Sequence, residues 1–333
     1  MWQINKWFWS WVSTSLLCIG LYATQVQADF TQRAEVKEWL ATQDKLGYSQ
    51  PEVLQLLRQA KYQPKVLPTL EKAPERTWVW SDYRQRLLSK QRIKAGRKFI
   101  QKNAALLQKL EADYGIPAEY IAAIAGVETN YGKTMGRYST LGTLATLAFE
   151  HPRRQAFFQR ELSQFLLLSH EYQLEPLAIK GSAAGAMGMG QFMPSSYRAY
   201  GVDGDSDGRI NLLSNKTDSL TSIANYLKRH GWQPNTPVML PVTITEQSLP
   251  HISKRPTKGG EDLQTWRNLG VSWQEQKLVD TPADKVNYRL YRFTTHAEPE
   301  YLLATGNFYV ITRYNHSLWY ARLVAELADL LKQ

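Results

Sequence analysis

One carboxylate, Glu128, closes the apolar run of IAGVETNYG, residues 124–132, just before a set of small and aromatic polar residues. A surface glutamate needs no such setting, whereas a general acid needs an apolar one that holds its proton near neutral pH. Ile121, Ile124, Ala125 and Glu128 fall at i, i+3, i+4 and i+7, a single face of a helix, which aims Glu128 where the isoleucines point.

A second cluster is DGDSDGRIN, residues 203–211. Asp203, Asp205 and Asp207 alternate, Gly208 takes the sharp turn, and Arg209 offers a backbone carbonyl, as in the first eight positions of an EF-hand loop. Three acids at this spacing repel one another unless a cation lies between them. Ser214 stands at the twelfth position in place of the usual bidentate glutamate, and Asp218, four residues on, could supply both oxygens from a longer loop. No partner EF-hand is present, so a structural calcium ion is expected and not a paired sensor. The glycine-rich GSAAGAMGMGQFMP, residues 181–194, lacks the GK[ST] ending of a phosphate loop and suits close backbone approach to a packed helix or a long ligand. GxSxG and HExxH are absent, and the six histidines are scattered.

Helical text must position these residues. AEVKEWLATQ, PEVLQLLRQA and YRQRLLSKQRIKAGRKFIQKNAALLQKLEADYG show three- and four-residue apolar spacing, the last read as one long helix ended by Gly115, with Pro117 opening the next. LGTLATLAFE, RRQAFFQRELSQFLLLSHEY, DSLTSIANYLKRHGW and SLWYARLVAELADLLK continue the helical pattern. VMLPVTIT, NYRLYRFTT and NFYVITRYN read as strands of a small antiparallel unit.

The chain has 333 residues, 43% hydrophobic and 21% charged, enough for a large core and more than one domain. Residues 1–28 combine one lysine, no acid, an apolar aromatic run and Val26 and Ala28 in a small-x-small pattern, which reads as a cleaved export signal, with an uncleaved anchor as its rival. Cys18 is the only cysteine, and Leu17 before it argues against lipidation, so outer-membrane lipid anchoring is not expected. Removal of the signal leaves 39 Lys and Arg against 30 Asp and Glu, no disulfide and no thiol chemistry. An exported basic chain points to an anionic envelope polymer or membrane surface, not to nucleic acid.

GVETNYG, FEHPRRQAFF, GSAAGAMGMGQFMPSSY, the aspartate loop, IANYLKRHGW and RYNHSLWYA occur in an order that resembles the B-type lytic murein transglycosylases of glycoside hydrolase-like family 3, over about residues 75–325. The resemblance implies a mainly α fold: a lysozyme-like α core, an additional helical domain, a small antiparallel β domain and a calcium ion in an EF-hand-like loop. Mapped here, the signal occupies 1–28, the helical domain 29–98, the core 99–236 with its calcium loop at 203–218, the β domain 237–306, and a returning segment 307–333. The resemblance makes Glu128 the single catalytic acid and base. It places Ser182, Gln191, Phe192, Tyr226, Tyr314, Asn315 and Tyr320 along the substrate cleft, with Tyr83 and Arg153 as further transfers, and Asp203, Asp205, Asp207, Arg209 and Asp218 at the ion. It implies a monomeric periplasmic enzyme of a Gram-negative bacterium acting on peptidoglycan glycan strands, with cell-wall synthesis or remodelling proteins as possible further partners.

The sequence favours one acid independently. No Asp or Glu lies between Thr129 and Phe149, or between Pro176 and Val202, although glycosidases ordinarily use two carboxylates. The muramic N-acetyl group and C6 hydroxyl could replace the second carboxylate and water, giving a 1,6-anhydro end. A hydrolytic muramidase and a non-catalytic peptidoglycan-binding protein are the alternatives.

Overall fold

A computed structural model describes residues 29–71, 78–274 and 286–332; the expected export signal lies outside the described residues. Fourteen α-helices run through them. Helices α1 (Ala34–Ala41), α2 (Gln50–Gln59) and α3 (Val66–Glu71) come first, followed by α4 (Trp80–Leu87), α5 (Lys90–Lys102), α6 (Ala104–Tyr114) and α7 (Ala118–Thr129). The central segment holds α8 (Thr140–Glu150), α9 (Gln155–Glu171), α10 (Pro194–Tyr200) and α11 (Lys216–Arg229), and α12 (Leu263–Asn268), α13 (Gly306–Tyr314) and α14 (Leu318–Leu331) complete the set.

The stretch read as one long helix is three. Ser89 accepts the Arg92 N–H at 3.2 Å and starts α5 afresh, and Asn103, at φ −115°, separates α5 from α6. The Ser89 cap, and the Asn103 Nδ2 donating back to the Phe99 carbonyl at 2.6 Å, outweigh the continuous apolar spacing. Gly115 does end α6, in the left-handed region at φ +72°.

Helix α7 is the centre of the molecule, packed by α5, α6, α11 and α14. Residues 120–126 are therefore all buried, and the single apolar face expected from spacing is an apolar surface all round. One continuous core extends from Phe30 to Leu331 and includes the N-terminal helices.

Strands β1 (Tyr138–Ser139) and β2 (Lys180–Gly181) pair antiparallel ahead of the glycine-rich stretch. Strands β3 (Met239–Ile244), β4 (Val271–Ser272), β5 (Arg289–Phe293) and β6 (Glu300–Ala304) form an antiparallel sheet in the order β4-β3-β6-β5. Leu290 pairs with Leu303 and faces a second, smaller core with Trp266 and Tyr288, while Tyr291, Phe293, Leu302 and Ala304 face the main core. Alternation along β5 and β6 thus joins the sheet to the helical body. NFYVITRYN, expected as a strand, is α13: the Thr305 hydroxyl accepts the Asn307 N–H, and Phe308, Val310 and Ile311 are buried, so packing overrides β propensity. Strand β6 was not read from the sequence.

Candidate active site

Helix α7 carries Glu128 in its last turn and ends abruptly. Asn130 and Tyr131, at φ +51° and +62°, are both left-handed without being glycine, and Gly132 follows at +84°. Such strain next to a reactive side chain needs support from its surroundings. The Thr129 hydroxyl donates to the carbonyls of Ala125 (3.1 Å) and Met189 (2.9 Å) and accepts from Gly132 N–H, tying the turn to the glycine-rich stretch. Tyr131 turns back into the body, its hydroxyl donating to the Arg92 carbonyl at 3.1 Å. A Cβ on Gly126 would lie 2.6 Å from the Tyr131 ring, and one on Gly96 only 2.2 Å from its oxygen, so these two helix glycines make the space for Tyr131. Tyr131, Gly96 and Gly126 were missed at the sequence level. A glycine inside each of two helices was the available signal.

The Tyr320 hydroxyl, from the first turn of α14, donates to Glu128 Oε1 at 2.6 Å. Burial pushes the Glu128 carboxyl up to about 7, and the Tyr320 hydrogen bond, which favours the ionised form, offsets part of that rise. Tyr314, at the end of α13, stacks on Tyr320 with ring centroids 6.5 Å apart and planes 9° apart, and donates to the Gly190 carbonyl at 2.6 Å. Burial beside Glu128 pushes both phenols well up, so they remain protonated donors. Phe192 and Tyr226 meet Tyr314 at 5.6 and 4.8 Å, completing an aromatic wall, and the Tyr226 hydroxyl donates to the Arg313 carbonyl.

The glycine-rich stretch is folded on itself. Ser182 Oγ accepts the N–H groups of Ala184 and Ala186, and Gln191, at φ +49°, donates from Nε2 to the carbonyls of Gly188 and Met135. Gly190 has no room for a Cβ, which would meet Phe192 at 2.6 Å and the Tyr314 oxygen at 2.8 Å. Gly190 therefore serves close packing on the aromatic wall, while Gly185 packs against Leu144 and Gly188 against the Leu212 carbonyl. Tyr83 packs on Trp319 and Trp80, at 5.3 and 6.0 Å, next to the start of α14. Asn315 is exposed after α13. Arg153 is also exposed, in the turn before α9, where its backbone N–H donates to His151 Nδ1; no contact joins its side chain to Glu128.

In the aspartate loop, oxygens of Asp203, Asp205 and Asp218 lie within 4.8 Å of one another. Asp218 is wholly buried and accepts the N–H groups of Gly204 and Asn211; Asp205 accepts from Asn215 Nδ2. Asp203 accepts from the N–H groups of Asp207 and Gly208, the latter at φ +85°. The convergent oxygens of a hard donor set fit a cation such as calcium. Asp207 stands outside this trio, exposed and accepting the Arg209 N–H.

A carboxyl that keeps its proton close to neutrality, set against an aromatic wall with no second carboxylate acting on it among the described residues, on a mainly helical body, is an arrangement suited to a glycan-cleaving enzyme that works with one acid group. The chain belongs to the transglycosylase SLT domain family, whose pattern matches residues 31–329. It is 35% identical over 315 residues to the membrane-bound lytic murein transglycosylase B of Escherichia coli strain K12, covering 92% of this chain and 84% of that protein. The structure resembles that of catenated lytic transglycosylase SltB1 from Pseudomonas aeruginosa, at TM-score 0.82 and 37% identity, covering 91% of this chain and 99% of that one. It also resembles the Escherichia coli lytic transglycosylase Slt35 in complex with calcium, at TM-score 0.80 and 34% identity over 91% of this chain and 94% of that one.

Proposed function

We propose that this lytic transglycosylase cleaves the β-1,4 bond between N-acetylmuramic acid and N-acetylglucosamine in murein without water. Glu128 donates its proton to the bridging oxygen as the bond to the muramic anomeric carbon breaks. The N-acetyl group shares the positive charge at that carbon, and Asn315 and Tyr314 hold this group. The C6 hydroxyl of the same sugar then attacks the anomeric carbon and gives its proton to the Glu128 carboxylate, closing the 1,6-anhydro ring and restoring the acid. Tyr320 steadies the carboxylate between the two transfers. Ser182, Gln191, Phe192, Tyr226, Tyr83 and Arg153 line the path of the glycan, and the aromatic wall keeps water from competing.

The observation that carries this reading is the Glu128 carboxyl, raised to about 7 by burial and held by a phenol and not by a second acid. Glu128→Gln keeps the shape and loses the proton, so turnover of purified murein sacculi is expected to fall by about 10² to 10⁴. Mass spectrometry of the wild-type products should show anhydromuramoyl ends; reducing ends would instead make the enzyme a hydrolase.

Asp203, Asp205 and Asp218, with the Arg209 carbonyl and Asp207 at the rim, would hold a structural calcium ion that braces the loop before α11. Asp205→Asn is the clean variant, because Asp205 is exposed and Asn215 is its partner. It should leave the melting temperature in chelator unchanged and weaken the rise on adding calcium. Export to the periplasm as a monomer, with processing after Ala28, is part of the same proposal. Intact-mass analysis of protein from the native envelope tests the processing point.

A further inference from the structure

Nine lysines and arginines and no acid lie between Tyr83 and Leu110, whereas the rest of the chain sets 31 cations against 30 acids. Nine of the ten net positive charges of the protein therefore sit on α4, α5 and the first half of α6. Within α5, Lys90, Lys94, Arg97, Lys98 and Gln101 fall at i, i+4, i+7, i+8 and i+11, and all are exposed. They line one shallow, open depression with Ile93. The opposite side of α5 packs on α7 and α14. Among the described residues, Lys90, Lys94 and Lys98 have no ion-pair partner, and Arg97 donates to the Leu330 carbonyl in the last turn of α14.

We infer that this face of α5 docks the enzyme on an anionic phospholipid surface. Four to eight clustered cations on an amphipathic helix are what headgroup phosphates attract. The row from Lys90 to Lys98 extends roughly 12 Å along a straight helix, a line suited to a flat surface. A glycan strand would need aromatic rings to stack on, and this face offers none: Phe99, the aromatic of α5, is turned inward onto Tyr131 at 5.3 Å. Lysine ammonium groups act as non-directional point charges, which fits mobile headgroups better than a carboxylate in one fixed position.

The test compares the full protein, purified from the envelope with its native N-terminus, with Lys90→Gln/Lys94→Gln/Lys98→Gln. Both are co-sedimented with vesicles of equal parts phosphatidylglycerol and phosphatidylcholine, and with vesicles of phosphatidylcholine alone. Any membrane affinity of the N-terminus is common to the two proteins. Each cation removed is expected to weaken partitioning onto the anionic vesicles about fivefold, and the triple variant about a hundredfold, with binding to neutral vesicles unchanged. Wild-type binding to the anionic vesicles should fall as salt rises. Lys254→Gln/Arg255→Gln/Lys258→Gln, three exposed cations of the β unit, should bind as wild type does. The three single substitutions serve as a second series in which folding is minimally disturbed. Equal partitioning of the wild type and the α5 variant would overturn the inference, as would an equal loss in the β-unit variant. A loss confined to binding of murein sacculi would assign the face to the wall polymer instead. Vesicle binding does not depend on the reaction, so its outcome is separate from that of the Glu128 experiment.

Discussion

Glu128 is governed by two opposed influences that can be measured apart. Burial raises its carboxyl from the ordinary 4.5 to about 7, and the Tyr320 hydroxyl lowers it. In the proposed reaction Glu128 starts out protonated, so activity should decline on the alkaline side near pH 7. Tyr320→Phe removes the opposing influence. Its alkaline limb should move to higher pH while peak turnover drops, because the ionised carboxylate has lost its donor; a limb that stays in place would separate Tyr320 from the titration. The same shift has a stability sign. Between pH 4.5 and about 7 the folded protein holds a proton that the unfolded chain releases, so stability decreases as pH rises through this window. Glu128→Gln abolishes that loss. Urea denaturation should show the variant more stable than wild type above pH 7, by at most about 3 kcal/mol, with the difference fading toward pH 4.5.

At the scale of elements, the helices that carry chemistry were legible wherever apolar spacing was long and capped by local signals. Helices α8, α9, α11 and α14 all lie where the sequence puts them. What spacing could not show is how many neighbours surround an element. Helix α7 is packed on every side, and α13 carries Tyr309, Val310 and Ile311 in a helix because it is clamped between the sheet and α14. The clasp around Tyr131 was hidden for a related reason: Gly96 and Gly126 are distant in sequence, and only the fold brings them to one ring. The clasp can be tested by a cycle. Gly126→Ala in an unobstructed helix would gain up to about 1 kcal/mol. Here its Cβ would lie 2.6 Å from the Tyr131 ring, so overpacking of about 1–3 kcal/mol should dominate and displace the turn behind Glu128. In a Tyr131→Ala background the same substitution should become neutral or stabilising. Additive effects in the two backgrounds, read from urea midpoints, would dissolve the clasp.

Across the whole molecule, the β unit and the helical body meet at a buried cation. Arg322 of α14 is only 5% exposed and lies between the rings of Trp80 and Phe293, at 4.3 and 4.6 Å. It pairs with Glu300 of β6 and, at 2.9 Å, with Glu326, which also holds Arg84 of α4 at 2.5 Å. The backbone N–H of Trp80 donates to the Thr294 carbonyl at 2.7 Å, so α4, α14, β5 and β6 are fastened at one place. That place connects to the site, because Trp80 packs on Tyr83 and Trp319, and Trp319 immediately precedes Tyr320. Arg322→Ala removes both the charge and the planar filler between two rings, and should destabilise the protein by about 2–5 kcal/mol, chiefly through the cavity left between Trp80 and Phe293. Arg322→Met keeps much of the volume. Glu300 is half exposed and can return to water, and Glu326 retains Arg84, so the methionine variant should lose far less stability than the alanine variant. Turnover at a temperature where both variants are folded should follow the same order, since a loosened Trp80 frees Tyr83 and Trp319, the latter next to Tyr320, the hydrogen-bond partner of Glu128. If the two variants lose stability equally, the guanidinium charge and not its packing is what joins the β unit to the catalytic body.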